Sequence, residues 1–361
     1  MNVIDALASA APRKGMNDLH QKIDKYVHEI RMIEIDEYRY GMNRKKVDRE
    51  KAYEMIIDTP DSECNAVLSF WKGRLVSPEI PLKESSRVEK NENRAKALYR
   101  RAVDLDIEGM AEAGDQYACT CLGEMYHHGW GVCSNESVAV KWYRKAAEQG
   151  YADAQFKLGR MYRFGHDIDV NDSTAVEWYR KAGEQGHADA QIQVGHMYRT
   201  GCGVDENDSI AVEWFLKAAE QGDAVAQYNL GKRYEFGEGV DQNYSTAGEW
   251  YCKAAEHGHS AAQFLVGEMY ENGCGVDQNY STAVKWYRKA AEHRYGNEAA
   301  AAQLHLGRMY ENGLGVDQDY ATAVEWYRKV AERRYVDAAA DAQFHLDRLT
   351  KSLRNRKNSE V

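Results

Sequence analysis

The chain is poor in proline and has no long apolar run, and each shortage excludes a class of protein. It has 4 prolines in 361 residues, which suits a nearly all-helical chain because proline breaks helices. No segment approaches the roughly 20 apolar residues that a membrane-spanning helix needs. The first residues, MNVIDALASAAPRKG, lack a basic segment followed by an apolar one, as a secretory signal would have. We therefore expect no membrane insertion.

Basic charge and paired cysteines are also scarce. The formal net charge is -10, which argues against nucleic acid as the main partner, since phosphate backbones favour a basic surface. The cysteine count of 7 is odd. Cys119 and Cys121 lie two residues apart on a predicted helix and so point to different sides, whereas Cys202 and Cys274 lie in equivalent loops too far apart to pair. We expect reduced thiols and a cytoplasmic protein.

A repeat of fixed length organises most of the chain. A Leu-Gly or Val-Gly pair and a tryptophan each recur six times, at steps of 36 residues four times and then of 40. The glycines are Gly123, Gly159, Gly195, Gly231, Gly267 and Gly307, and the tryptophans are Trp142, Trp178, Trp214, Trp250, Trp286 and Trp326. A period of this size predicts a solenoid built of helix-turn-helix units.

Residues 154–186 illustrate the unit. In its first helix, Ala154, Leu158, Met161 and Tyr162 share one face, which we predict to be buried. Gly159 would let a neighbouring helix approach closely, and Gly165 would end the helix. An Asn or Asp with strong N-cap preference precedes each second helix: Asn91, Asn135, Asn171, Asn207, Asn243, Asn279 and Asp319. In the second helix, Ala175, Trp178 and Ala182 are expected to face inward.

The period divides the chain into four parts. We predict an N-terminal helical cap or extension over residues 1–63, a degenerate repeat over 64–114, six repeats over 115–340, and a C-terminal capping helix with a basic tail over 341–361. The N-terminal helices, at 16–40 and 45–57, either close the solenoid or bind a partner or a second copy. Four extra residues within 294–302 and again within 335–342 predict a helix longer by about one turn, or else a tolerated surface insertion.

The repeated pattern resembles a known family. Leu-Gly-x-x-Tyr-x-x-Gly-x-Gly-Val, followed by Ala-x-x-Trp-Tyr-x-x-Ala-Ala-x-x-Gly, is similar to the Sel-one-like repeat, a relative of the tetratricopeptide repeat. The resemblance implies an all-α, right-handed α/α superhelical solenoid that acts as an adaptor or scaffold for other proteins. Some cysteine-rich secreted members bind or hydrolyse β-lactams, but their disulfide-forming cysteine pairs are absent here.

In arrays of this kind the first helix of each unit lines a concave groove, so the residues opposite its buried stripe are candidates for partner binding. The predicted site comprises Phe156, Arg160, Arg163, Ile192, His196, Arg199, Tyr228, Lys232, Glu235, Phe264, Glu268, Glu271, Arg308 and Glu311. These residues suggest an apolar spine flanked by basic residues early in the array and acidic ones later, suited to a peptide or helix of fixed polarity. Alternatively, the apolar positions pack between helices and the charges form a solvated face.

The motifs that could indicate nucleotide binding, metal binding or catalysis are weak. Gly-x-Gly-Val recurs after a helix and lacks the Lys-Ser/Thr of a phosphate loop. His127-His128 and His257-x-His259 lack the surrounding ligands of a metal site. We therefore predict no catalytic residues, no metal and no cofactor. The favoured function is an adaptor that binds another protein; the alternatives are a β-lactam-like binding hydrolase and a self-assembling structural protein.

Overall fold

The computed structural model of the protein describes residues 69–70, 92–165, 168–293, 296–332 and 338–359. Within these ranges the chain forms fifteen α-helices and no strands, which confirms the all-α prediction. The helices predicted at 16–40 and 45–57 and the N-cap predicted at Asn91 lie outside the described residues.

The chain divides into two compact units, residues 1–182 and 183–361. The helices of the first unit are α1 Glu92–Asp104, α2 Ile107–Glu112, α3 Gln116–His128, α4 Glu136–Ala147, α5 Ala152–Phe164 and most of α6 Asp172–Glu184. Those of the second unit are α7 Ala188–Thr200, α8 Asp208–Glu220, α9 Ala224–Phe236, α10 Tyr244–Glu256, α11 Ser260–Asn272, α12 Tyr280–Ala291, α13 Asn297–Asn312, α14 Tyr320–Ala331 and α15 Ala338–Ser359. In the second unit every helix packs on the next one, as a solenoid of helix pairs requires.

The second helices begin where the N-cap residues predict. Each cap side chain accepts a hydrogen bond from a backbone N–H two or three residues further on, which satisfies a donor that the helix cannot pair. The pairs are Asn135 with Val138 at 3.0 Å, Asn171 with Thr174 at 2.8 Å, Asn207 with Ile210 at 3.0 Å, Asn243 with Thr246 at 3.0 Å, Asn279 with Thr282 at 3.0 Å, and Asp319 with Ala321 at 2.9 Å.

The mid-helix glycines let a neighbouring helix approach closely, as predicted, and the group that they admit is an aromatic ring. A Cβ at Gly159 would lie 2.7 Å from the ring of Tyr179, and one at Gly231 would lie 2.6 Å from the ring of Tyr251. Real Cβ atoms do not approach so closely, so only glycine allows the two helices of a repeat to pack at this distance.

The aromatic ring at the centre of each repeat belongs to the residue after the tryptophan. Trp178, which was predicted to face inward, packs against the core but is only partly buried. Tyr179 is completely buried, whereas Trp178 is only half-buried and Lys181 Nζ lies 4.0 Å from its ring centroid. The equivalent buried residues are Tyr143, Phe215, Tyr251, Tyr287 and Tyr327. The tryptophan therefore packs beneath a lysine, a cation–π contact that leaves part of its ring in water.

The turn between the two helices carries a second glycine that meets the preceding repeat. Gly239 abuts the backbone of Asp208, Gly275 that of Tyr244, and Gly315 that of Tyr280. Asp208, Tyr244 and Tyr280 are the first residues of α8, α10 and α12. The turn of one repeat thus lies against the start of the second helix of the repeat before it, at a distance that excludes any side chain.

Two segments depart locally from the repeat. The turn after α5 differs, since Gly165 is extended with a φ of -62°, whereas Gly201 and Gly237 take left-handed φ values of 66° and 69°. The four extra residues near 294–302 lengthen a helix, because α13 has 16 residues where α11 has 13. Residues 333–337, which hold part of the second insertion, lie outside the described residues.

Candidate functional site

The apolar positions predicted to form an exposed spine are mostly part of the core. Phe156, Ile192 and Leu304 are buried, with 7%, 5% and 6% of their surface exposed, and Tyr228 and Phe264 are half-buried. Phe156 packs on the ring of Tyr179, with centroids 5.6 Å apart, and the equivalent pairs in the second unit lie 5.8 Å apart. These positions therefore agree with the alternative interpretation, in which they pack within the array, and Phe156, Tyr228 and Phe264 cover the buried ring of their own repeat.

The acidic residues of the predicted site hold the buried tyrosines. The hydroxyls of Tyr251, Tyr287 and Tyr327 each donate a hydrogen bond to a glutamate that lies sixteen residues earlier on the first helix. The bonds are Tyr251 Oη to Glu235 Oε2 at 2.5 Å, Tyr287 Oη to Glu271 Oε2 at 2.5 Å and Tyr327 Oη to Glu311 Oε2 at 2.7 Å. Burial, followed by this bond to a carboxylate, raises the pKa of each tyrosine hydroxyl.

Two of these glutamates, Glu271 and Glu311, also contact the following repeat through side chains that are not part of the predicted site. His305 Nδ1 lies 2.8 Å from Glu271 Oε2, and Arg348 on α15 forms an ion pair with Glu311. Although burial acts to raise the pKa of the Glu271 carboxyl, hydrogen bonds from His305 and Tyr287 hold that pKa below its usual value. His305 directly follows the apolar position Leu304, and Lys157, which directly follows Phe156, pairs likewise with Glu124. The position directly after the apolar residue of a first helix was therefore the sequence signal that could have indicated these ion pairs.

Most of the remaining predicted residues of the second unit rest against aromatic rings or are half-buried. His196 meets the ring of Phe215 edge-on at 5.1 Å, and Lys232 Nζ lies 5.9 Å from the rings of both Tyr228 and Phe236. Arg199, Glu268 and Arg308 are half-buried on the first helices α7, α11 and α13. Burial raises the pKa of the Glu268 carboxyl above its usual value.

Two phenylalanines at the ends of first helices remain exposed to water. Phe164 at the end of α5 is 57% exposed and Phe236 at the end of α9 is 56% exposed. Each lies beside a cation of the predicted site: the guanidinium carbon of Arg163 is 4.9 Å from the ring centroid of Phe164, and Lys232 lies near Phe236. An exposed aromatic ring next to a cation is a common composition for a protein-binding surface.

The first unit also holds a pocket of about 260 Å³ beside Phe164. Its walls are His127, His128, Glu136, Tyr143, Lys157, Arg160, Met161, Phe164 and Gly165, from α3, α4, α5 and the turn that follows α5. In the following repeat, the hydroxyl of Tyr179 is buried and has no hydrogen-bond partner among the described residues, and the charges of Arg160 and Arg163 favour its ionised form. Arg160 is exposed, and Arg163 occupies the position that Glu235 has in its own repeat.

Neither histidine pair belongs to a metal cluster among the described residues. His128 stacks on Trp130, with ring centroids 4.4 Å apart, and the Nδ1 of His259 accepts a hydrogen bond from the N–H of Ala262 at the start of α11.

The cysteines of the described ranges are free thiols: Cys119, Cys121, Cys133, Cys202, Cys252 and Cys274. In that same part of the chain, every helix is too short or too polar to cross a membrane.

Comparison with known proteins identifies the repeat. The family model described as the Sel1 repeat matches residues 83–107, 116–151, 152–187, 188–223, 224–259, 260–295 and 300–335. A protective antigen present in uropathogenic Escherichia coli strains, solved with an SLR fold, is 33% identical, with a TM-score of 0.65 over 82% of this chain and 59% of that one. A Sel1 repeat protein from Oxalobacter formigenes is also 33% identical, with a TM-score of 0.57 over 66% of this chain and 95% of its own.

This chain thus spans about three-fifths of the length of the Escherichia coli protein. A search of curated protein sequences gave no match. Solenoids of these repeats generally serve as scaffolds for protein–protein interaction. Seven matches over most of the chain, together with the glycines that admit a buried ring, show that the protein belongs to the Sel1 repeat family.

Proposed function

We propose that the protein is a cytoplasmic adaptor that binds a peptide or helix of another protein at the ends of its first helices. The observation that carries this proposal is the exposure of Phe164 and Phe236 beside Arg163 and Lys232. Equivalent positions of neighbouring repeats carry polar residues such as Thr200 and Asn272. A large apolar side chain that is exposed to water does not stabilise the fold. The placement of these phenylalanines next to a cation therefore favours a role in binding.

The buried apolar positions alter the mode of binding that the sequence predicts. Phe156, Ile192 and Leu304 support the core, so a partner would contact the charged rim and the exposed phenylalanines instead. The charges would set the orientation and association rate of the partner, and the phenylalanines would supply most of the affinity. Each unit presents one such phenylalanine, and the proposal applies to each unit by itself.

The test is affinity capture from the native host lysate with purified full-length protein, read by mass spectrometry. The variant carries Phe164→Ala and Phe236→Ala, and the matched control carries Val170→Ala and Leu216→Ala, which remove exposed apolar side chains outside the first helices. A partner held by wild type and control but lost by the variant supports the proposal. Equal capture by all three removes the phenylalanines from the binding surface.

A further inference from the structure

The walls of the pocket in the first unit are mainly aromatic and cationic. Its volume is about 260 Å³, and its walls include three rings and two cations, those of Tyr143, His128, Phe164, Lys157 and Arg160. His128, Phe164 and Arg160 are exposed, so a ligand can reach them from solvent. The volume falls below the roughly 300–1,000 Å³ of pockets for drug-sized ligands, which suits one large side chain of a partner protein.

One residue of the pocket also belongs to a column of stacked rings. Tyr99 stacks on Trp130, with ring centroids 5.2 Å apart and ring planes 3° apart. Trp130 stacks in turn on His128, with ring centroids 4.4 Å apart. Because His128 also lines the pocket, an aromatic ring that enters the pocket can extend this set of ring contacts.

The charges in the pocket favour the face of an aromatic ring over a further carboxylate. Glu124 already forms an ion pair with Lys157, and Glu136 lines the pocket with its Oε1 3.7 Å from His127 Nδ1. An entering carboxylate would therefore meet Glu136 as a like charge. The face of an aromatic ring is electron-rich, so it attracts the cations of Lys157 and Arg160 without adding a negative charge.

Contacts between a cation and a ring already occur in this part of the chain. The Nζ of Lys157 lies 5.6 Å from the ring centroid of Tyr143, and the guanidinium carbon of Arg163 lies 4.9 Å from that of Phe164. Both of these rings line the pocket. The ring of a partner would thus add one more contact of a kind that this region already contains.

Two exchanged residues distinguish this region from its counterpart in the second unit. There, Arg348 on α15 forms an ion pair with Glu311 on α13. The corresponding positions of α5 and α3 hold Arg160 and His127, and both of these residues line the pocket. Histidine does not offer Arg160 the carboxylate that Glu311 offers Arg348. The exposed guanidinium of Arg160 can therefore turn towards a group from outside the chain.

We propose that this pocket binds an aromatic side chain of a partner protein. The ring of that side chain packs against His128 and Phe164, and the guanidinium of Arg160 lies over its face. Tryptophan, which gives the strongest cation–π contact, is the preferred residue. This inference rests on the proposed function and gives its binding surface in the first unit a ligand chemistry.

The direct test is a titration of the full-length protein with capped peptides of the form acetyl-Gly-Ser-X-Ser-Gly-amide, followed by ligand-observed NMR. X is tryptophan, phenylalanine, cyclohexylalanine or serine. Cyclohexylalanine has nearly the shape of phenylalanine and is at least as apolar, but its ring has no π electrons. The phenylalanine peptide should therefore bind about threefold more tightly than the cyclohexylalanine peptide, and the tryptophan peptide more tightly again.

Two results of this titration would contradict the proposal. Equal or tighter binding of the cyclohexylalanine peptide, compared with the phenylalanine peptide, overturns the assignment of an aromatic ring and leaves an apolar site. Binding of the tryptophan peptide no tighter than that of the serine peptide at millimolar concentration overturns the pocket as a binding site.

Two variants at exposed positions place the binding in the pocket. Arg160→Gln removes a cation of the wall and should remove most of the difference between the phenylalanine and cyclohexylalanine peptides. His128→Ala removes a ring of the wall and should weaken binding of the tryptophan peptide by about fivefold.

The matched control is Arg180→Gln, which removes an exposed cation of the same unit that is not among the walls of the pocket. It should leave peptide binding within about twofold of wild type. An unchanged preference in Arg160→Gln overturns the role of the cation, and an unchanged affinity in His128→Ala places the bound ring elsewhere. Circular dichroism of each variant confirms that it is folded before the titration.

The outcome is independent of the capture experiment. Should the tryptophan peptide fail to bind while Phe164→Ala with Phe236→Ala still loses a partner, this inference fails and the adaptor function stands. Should the peptides bind with the expected preferences while capture is unchanged in that variant, the pocket stands as a site for an aromatic side chain and the proposed adaptor surface fails.

Discussion

The buried tyrosines show how one exchanged residue alters the energetics of a repeat. In the second unit a carboxylate meets each tyrosine hydroxyl, and a hydrogen bond to a charged group stabilises a fold more than a neutral one does. In the first unit Arg163 stands in place of that carboxylate, and the Tyr179 hydroxyl has no acceptor among the described residues. Removal of the hydroxyl oxygen should therefore change the free energy of unfolding differently at equivalent tyrosines of the two units.

We expect Tyr251→Phe to lower the free energy of unfolding by about 1.5 kcal/mol, because Glu235 loses its charged hydrogen bond. Tyr179→Phe should leave that free energy unchanged or raise it, since it removes a buried hydroxyl that has no partner in the described part of the chain. Urea unfolding followed by circular dichroism measures both. An equal loss of stability in the two variants would contradict the assignment of the Glu235 bond.

His259 makes the fold sensitive to acid. It is buried at the N-cap of α11 and stacks on Tyr228, and burial, followed by the charge of His293, lowers its pKa to about 4. A histidine in an unfolded chain titrates near about 6.5. As the pH falls from that value, the unfolded state binds the proton first, so up to about 3 kcal/mol of stability is lost by pH 4.

His259→Asn should flatten this dependence, since asparagine keeps the capping acceptor and does not titrate. The variant should be less stable than wild type at neutral pH, because it loses the stack on Tyr228, but should lose less stability on acidification. Urea midpoints measured between neutral pH and pH 4 test this, with the exposed His257→Asn as control. Parallel curves for wild type and His259→Asn would show that another group controls the acid response.

The helices of a repeat are held at close range by glycine and a buried ring. At Gly159 a methyl group would strike the ring of Tyr179, which is fully buried and enclosed by other core residues. Alanine is the better helix former by about 1 kcal/mol, so two effects of opposite sign compete at this position. Overpacking in a close-packed core costs about 1–3 kcal/mol and should prevail.

Gly159→Ala should therefore destabilise the protein by about 1 kcal/mol, despite the gain in helix propensity. Gly150→Ala is the matched control, since a Cβ there meets nothing within 4 Å and only the left-handed backbone, with a φ of 92°, opposes it. Thermal unfolding and near-ultraviolet circular dichroism of the tyrosines would report both changes. A near-ultraviolet spectrum of Gly159→Ala identical to wild type would mean that the ring does not move.

The positions of the helices were predictable from the sequence, but the burial of individual side chains was not. Asn207 and its equivalents mark helix starts because capping depends on neighbours along the chain. By contrast, Trp178 and Tyr179 are adjacent large aromatics, and periodicity alone could not tell which one meets Gly159. For the same reason, the apolar stripe that includes Phe156 allowed two interpretations, a surface or packing between helices, since its burial depends on contacts within the folded repeat.

The array as a whole depends on contacts between neighbours. In the second unit each helix packs on the next, and α13 also meets α11 and α15, so stability is shared over about one repeat in either direction. The period of 36 residues was visible in the sequence and predicted this architecture. The partner and the exposed part of the surface could not be predicted from the sequence. Both depend on the few positions of each repeat whose side chains do not pack in the core.

Gly267→Ala should therefore loosen only part of the protein. A methyl group there would lie 2.6 Å from the ring of Tyr287, and the resulting strain should raise amide hydrogen exchange in α11, α12 and the helices beside them. Exchange in α3 and α4 should remain at the wild-type level. Hydrogen–deuterium exchange with mass spectrometry at a common pH tests this, and a uniform rise over all these helices would show that unfolding is cooperative throughout the chain.

The glycine turn that meets the preceding repeat has a consequence for how such a protein can change over evolutionary time. Gly239, Gly275 and Gly315 each touch the first residue of an equivalent helix, so successive junctions in the second unit are built from the same contacts. A duplication or deletion of one complete period would rejoin surfaces that already match. Unequal recombination can therefore change the number of repeats in one event, whereas the loss of a few residues within a period would break two junctions at once.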